Sequence, residues 1–212
     1  MKKRKNKVKA IIFDIGGVLE LGKYSKPKDN HQALGAHQFM ARKLKISLDQ
    51  YFDSIDTTYV MSIEGHVSKS ETIRIIAKNF KISEKRLIRL YKKAYRKNFK
   101  TNKQLYNLAF KLKKTHKIAI LSDQWYLSKK ALVKPKYTKK FDVVVISYDV
   151  GLRKPNPKIY KLVRKKLNIP FKNCLFIDNQ KWNIKPAKEL GIQTILFKNN
   201  KQLSKQLLRC LK

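Results

Sequence analysis

The chain is predicted to fold as an α/β protein, a Rossmann-like doubly wound parallel sheet with a helical cap inserted after the first strand. Three features predict this. An apolar run from Val8 to Phe13 ends on Asp14 and turns through Gly16 and Gly17, as a buried strand does when it delivers one acid to its tip. The pattern recurs where Lys117–Leu121 runs into Ser122 and Asp123, and where Asn173–Ile177 runs into Asp178 and Asn179. Between the first and second of these strands the strand-and-helix alternation stops, from Leu21 to about Asn98.

That interruption reads as helices over His31–Leu44, Leu48–Met61, Ser70–Phe80 and Glu84–Phe99, with apolar residues three and four apart, as in Ile73, Ile76, Ala77 and Phe80. Ser47 and Ser83 are placed as N-caps. Residues 21–98 are therefore expected to form the cap, and residues 1–20 with 99–212 the core. The alternation resumes with helix Asn102–Lys114, strand Lys117–Leu121, a helix near Trp125–Val133 and strand Asp142–Ser147. Helix Asn156–Leu167, strand Cys174–Ile177, helix Trp182–Leu190 closed by Gly191, strand Gln193–Phe197 and a last helix from Lys201 complete it. Lys134–Lys140 reads as an exposed loop. Five strands with intervening helices give a doubly wound sheet, whose ligands bind beyond the carboxyl ends of the strands. The polar tips at 14, 122 and 178 would then converge on one site.

With 212 residues, 42% of them hydrophobic, the chain can bury a substantial core. No apolar stretch reaches the roughly 18 residues of a membrane span, and a cytoplasmic protein is expected. Cys174 and Cys210 have no metal-binding spacing and read as reduced, structural thiols. The formal net charge of +37 would give non-specific, salt-sensitive attraction to nucleic acid. The basic residues are spread along the chain, mostly as Lys, with no nucleic-acid-binding motif. Only 14 residues are acidic, and Asp14, Asp123 and Asp178 all stand at strand tips. A carboxylate among so many cations is readily kept ionised, which suits a nucleophile or a metal ligand.

In the segment Asp149–Tyr160, Gly151, Pro155 and Pro157 frame Lys154 just before a helix and fix it in a loop. Taken in order, Asp14, Ser122, Lys154 and Asp178 with their surroundings resemble the four motifs of the haloacid dehalogenase-like hydrolase superfamily, in its phosphatase branch with a helical cap. The likeness covers nearly the whole chain and is strongest from Ile146 to Phe197. It implies a magnesium-dependent phosphatase acting on a small phosphorylated metabolite, a sugar phosphate among the candidates, through an aspartyl-phosphate. Asp14 would be the nucleophile and Lys154 the cation steadying it and the phosphoryl group. Ser122, Asp123 and Gly17 would line the phosphate site. Asp14, Asp178 and the Gly16 carbonyl would hold Mg2+, with Asn179 and Asn183 supporting the ion.

Gly16 stands where phosphatases of this family usually carry a second Asp, which protonates the leaving group. A missing general acid–base costs about 10²–10⁴-fold in rate. Leaving groups that need little protonation are therefore expected, such as anomeric sugar, acyl or aryl phosphates. A degenerate phosphate- or nucleic-acid-binding protein and a haloalkanoate dehalogenase are the alternatives. Asp123 either supports the phosphate loop or repels the substrate. Glu64–Ser68 reads as a turn glycine followed by an N-cap serine, with Glu64 or His66 reaching the substrate as the alternative; Trp125 and Tyr126 read as core packing, with stacking on a sugar or base as the alternative, and His31, His37 and His116 as incidental.

Overall fold

Alternate residues of the first strand, β1 (Ala10–Phe13), point to opposite faces of a sheet that is buried on both sides, so the strand reads as unbroken apolar sequence. A computed structural model describes residues 7–22 and 34–211. After β1 come β2 (Glu20–Gly22), four helices α1 (Leu34–Leu44), α2 (Leu48–Ile63), α3 (Lys69–Asn79) and α4 (Glu84–Asn98), and then β3 (Phe99–Thr101). The chain continues through α5 (Lys103–Leu112), β4 (Lys117–Ser122), α6 (Tyr126–Leu132), α7 (Pro135–Thr138), β5 (Val143–Ile146), α8 (Ser147–Val150) and α9 (Pro157–Leu167). It closes with β6 (Cys174–Asp178), α10 (Lys181–Glu189), β7 (Gln193–Leu196) and α11 (Asn200–Cys210).

Five strands pair in parallel in the order β5-β4-β1-β6-β7. The chain leaves β1 for β4 on one side and later reaches β6 on the other, so strand order reverses at β1. A ligand crevice is expected at the carboxyl end of such a switch point. Ile11, Phe13, Ile118, Ile120, Leu175 and Ile177 pack on one face in a cluster with α5 and α11. Ala10, Ile12, Ala119, Leu121 and Phe176 pack on the other, in a cluster with α9 and α10. The protein is thus an α/β fold of the Rossmann-like class.

The four helices between β2 and β3 pack on one another, and α4 and α2 also reach α6 and α8. Ser47 and Ser68 form capping boxes with Gln50 and Glu71, and the Ser83 hydroxyl accepts the Arg86 N–H. The expected start of the first helix at His31 lies outside the described residues. Two expectations need correction. Residues 20–22 and 99–101 form an antiparallel pair, so Phe99 ends no helix but opens a strand. Residues 134–140 are no exposed loop: α7 lies within them, Thr138 is buried, and Lys134 Nζ reaches the buried Glu20 carboxylate at 2.7 Å.

Candidate active site

Two strand tips meet at one ammonium. Asp14 follows β1, Asp178 ends β6, and Lys154 comes from the loop between α8 and α9. The Lys154 Nζ donates to Asp14 Oδ1 at 3.0 Å and to Asp178 Oδ2 at 2.7 Å. All three side chains are buried, Asp178 completely. The Lys154 backbone N–H donates to Asp123 Oδ1 at 3.1 Å, so the tip of β4 fixes the loop that carries the lysine. Asn156 caps α9 through the Lys158 N–H, anchoring the loop at its other end.

Asp178 is held in turn. Its Oδ1 accepts the Gln180 N–H at 2.7 Å and its Oδ2 accepts from Asn183 Nδ2 at 3.1 Å. Ser122 is buried, its hydroxyl helps to lower the Asp14 pKa, and its Oγ accepts from Gln124 Nε2 at 3.0 Å. Gly17 adopts φ +79°, and a Cβ there would lie 2.3 Å from Asn179 Nδ2. Only glycine lets the turn after β1 close against the turn after β6. In that turn the Ile15 carbonyl accepts the Val18 and Glu20 N–H groups and the Gly17 N–H donates to the Glu20 carbonyl, bonds in which the Gly16 carbonyl takes no part.

Burial pushes the Asp14 carboxyl up to about 7; Lys154 opposes this and the Asp178 charge adds to it. Burial also raises Asp123 against the pull of Lys154. Burial works against the Lys154 charge, yet Asp14, Asp178 and Asp123 outweigh it and hold the ammonium well above the usual lysine range. Two carboxylates facing one ammonium leave an excess of negative charge, which would repel a phosphate dianion. The amide oxygens of Asn179 and Asn183 are buried with no hydrogen-bond partner among the described residues. Among the described residues, no three His, Cys, Asp or Glu side chains gather as a metal cluster. The donors at hand are therefore two carboxylates and amide or peptide oxygens, a set suited to a hard cation that keeps water and phosphate as its other ligands.

A cavity of about 220 Å³ opens over these groups, lined by Asp14, Gly16, Asp123, Lys154 and Asn183 on the sheet side. Tyr59 of α2 and Tyr95 of α4 form its other wall with Trp125. Trp125 is buried and donates to the Tyr95 hydroxyl at 2.9 Å, as expected of a core residue. Among the lining residues without a site role in the sequence reading are His37 and Trp182. His37 is buried and its Nδ1 lies 2.9 Å from the Tyr51 hydroxyl, which itself lies 2.8 Å from that of Tyr91. Nothing in the local sequence marks these two. Glu64 pairs with Arg153 at 2.9 Å and with His66 at 3.2 Å, and neither Glu64 nor His66 is among the residues lining the cavity.

The haloacid dehalogenase-like hydrolase model matches residues 8–191, which include every one of these groups. The chain belongs to that family. In solved structures, a family enzyme from Bacteroides thetaiotaomicron in its magnesium complex superposes with a TM-score of 0.75 at 22% identity, covering 95% of this chain and 99% of that one. The same enzyme has been crystallised with magnesium and inorganic phosphate. The likeness to curated proteins is more local. Mouse acyl-CoA dehydrogenase family member 10 is 38% identical over 77 residues, 36% of this chain and 7% of that protein. Flavin mononucleotide hydrolase 1 of Arabidopsis thaliana is 39% identical over 57 residues, 27% of this chain and 23% of that protein. The matches thus span less than a quarter of these curated relatives.

Proposed function

We propose that this family hydrolase is a magnesium-dependent phosphatase of small monoesters, with the four helices α1–α4 as a lid over its site. The observation that carries the reading is the single buried ammonium shared by Asp14 and Asp178 at the switch point of the sheet. Asp14, Asp178 and the Gly16 carbonyl would hold the ion, with the unpartnered Asn179 and Asn183 oxygens close to them in sequence and fold. When bound, magnesium would neutralise the carboxylates and the phosphate oxygens.

Asp14 then attacks phosphorus, forming an oxygen–phosphorus bond as the bond to the ester oxygen breaks. Lys154 holds the attacking carboxylate and offsets charge on the phosphoryl oxygens, while Ser122 and the turn at Gly17 face the phosphate. Water next attacks the aspartyl-phosphate, releasing phosphate and regenerating Asp14. Most of the gain comes from positioning and fixed charge. Gly16 supplies no proton to the departing oxygen, so the reading favours leaving groups that are stable as anions.

The test is phosphate release from acetyl phosphate and phenyl phosphate with and without magnesium. Turnover is expected only with the metal, and Asp14→Asn should lose at least about 10³-fold. Magnesium should also raise the melting temperature of the wild type, and Asp178→Asn should remove that shift. Dechlorination of 2-chloropropionate in the presence of chelator, without turnover of either phosphate, would replace this reading with a dehalogenase.

A further inference from the structure

The aromatic residues around the cavity fall into two groups. Tyr59 and Trp125 meet edge to face at 5.1 Å, Tyr91 and Trp125 at 5.2 Å, and Tyr95 accepts the Trp125 N–H. That wall is committed to itself. Trp182 is different: it lies in the first turn of α10, its side chain makes no ring contact or hydrogen bond among the described residues, and it is 43% exposed. It nevertheless lines the same cavity as Asp14 and Lys154. Its neighbour Asn183 is tied to Asp178, which fixes the start of α10, and with it the backbone that carries the indole, relative to the reacting groups. A large apolar ring left bare beside a charged pocket costs solvation that a ligand ring could recover.

We infer that Trp182 is a specificity residue that stacks on the ring of an aryl monophosphate, the oxygen of that ring being the leaving group. This rests on the phosphatase reading and narrows its substrate class. Three observations converge on it. Gly16 provides no acid, and a phenol leaves as an anion of pKa about 10 whereas an alkoxide is about as basic as hydroxide, its parent water having a pKa of about 15.7. The cavity of about 220 Å³ is smaller than the 300–1,000 Å³ typical of drug-sized ligands, which suits a phosphate carrying one ring. Among the described residues, Lys154 is the only Lys or Arg lining it, and it is already bonded to Asp14 and Asp178. The reaction balances as ester plus water giving phenol plus phosphate: Asp14 takes the phosphoryl group, the phenolate acquires its proton from solvent, and water releases the phosphoryl group from Asp14.

The experiment compares phenyl phosphate with acetyl phosphate, which has no ring. Trp182→Ala should raise KM for phenyl phosphate at least about five-fold more than for acetyl phosphate, in keeping with the strength of ring stacking, and Trp182→Phe should restore most of the difference. Independently of turnover, phenylphosphonate should bind the magnesium-loaded wild type more tightly than methylphosphonate and quench its tryptophan emission. With only two tryptophans in the chain, loss of that quench in Trp182→Phe assigns it to Trp182. Equal loss on both substrates in Trp182→Ala, or equal affinity of the wild type for the two phosphonates, overturns the inference. Should the wild type hydrolyse neither ester, the phosphatase reading fails, and the phosphonate titration still decides the role of Trp182.

Discussion

Gly17 and Lys154 show how far single residues shape this site. At φ +79° with Asn179 Nδ2 2.3 Å from any added Cβ, Gly17→Ala combines left-handed strain with a clash. It is expected to cost about 1–2 kcal/mol, read from urea denaturation, and to lower activity by displacing Asn179. Lys154→Met leaves two carboxylates buried without their ammonium. Removing one partner of a buried ion pair typically costs about 3–5 kcal/mol, so the urea midpoint should fall sharply and added magnesium should recover part of the loss. Asp14, Lys154 and Asp178 were legible in the sequence because each stands in a strongly constrained setting, at a strand tip or between a glycine and a proline. Trp182 and His37 were not, since an aromatic or imidazole on a helix carries no local sign of what it faces.

At the level of elements, the inner strands β1, β4 and β6 could be read because they are buried on both faces and so form nearly continuous apolar runs. Helix starts were readable through their caps. The Ser68 hydroxyl accepts the Glu71 N–H at 3.2 Å, and the Glu71 carboxylate accepts the Ser68 N–H at 3.1 Å. Ser68→Ala should therefore destabilise α3 by about 1 kcal/mol, visible as a lower melting temperature with activity on acetyl phosphate retained below the transition. The strands β2 and β3 escaped because three residues carry no usable periodicity, and each is stabilised by a partner about eighty positions away. Four residues in α7 were hidden for the same reason, although Pro135 at the start of that helix is a favourable first-turn residue.

Across the whole molecule, a chain of net charge +37 buries a few of its scarce acids, and one of them governs an expected pH response. Glu20 is fully buried, with Oε2 bonded to Lys134 and Thr101 and Oε1 without a hydrogen-bond partner among the described residues. Burial raises its pKa above the ordinary 4.5 despite Lys134. The folded state then binds this proton more tightly than the unfolded state. The resulting stability is fully present below pH 4.5 and is lost as pH rises through the elevated value. Wild-type stability should accordingly decline relative to Glu20→Gln between acidic and neutral pH, as read from paired urea midpoints. A flat difference would mean that Glu20 pairs with Lys134 without net penalty.

The sequence by itself determined the strand tips, their order and the class of sheet, because burial on two faces and tight turns leave strong local marks on residue choice. Tertiary structure decided which groups share one ammonium, which aromatic residues close on one another and which indole is left facing the cavity. Those outcomes depend on distances between segments 24 to 140 residues apart, set by how the sheet and the four helices pack rather than by any neighbour along the chain.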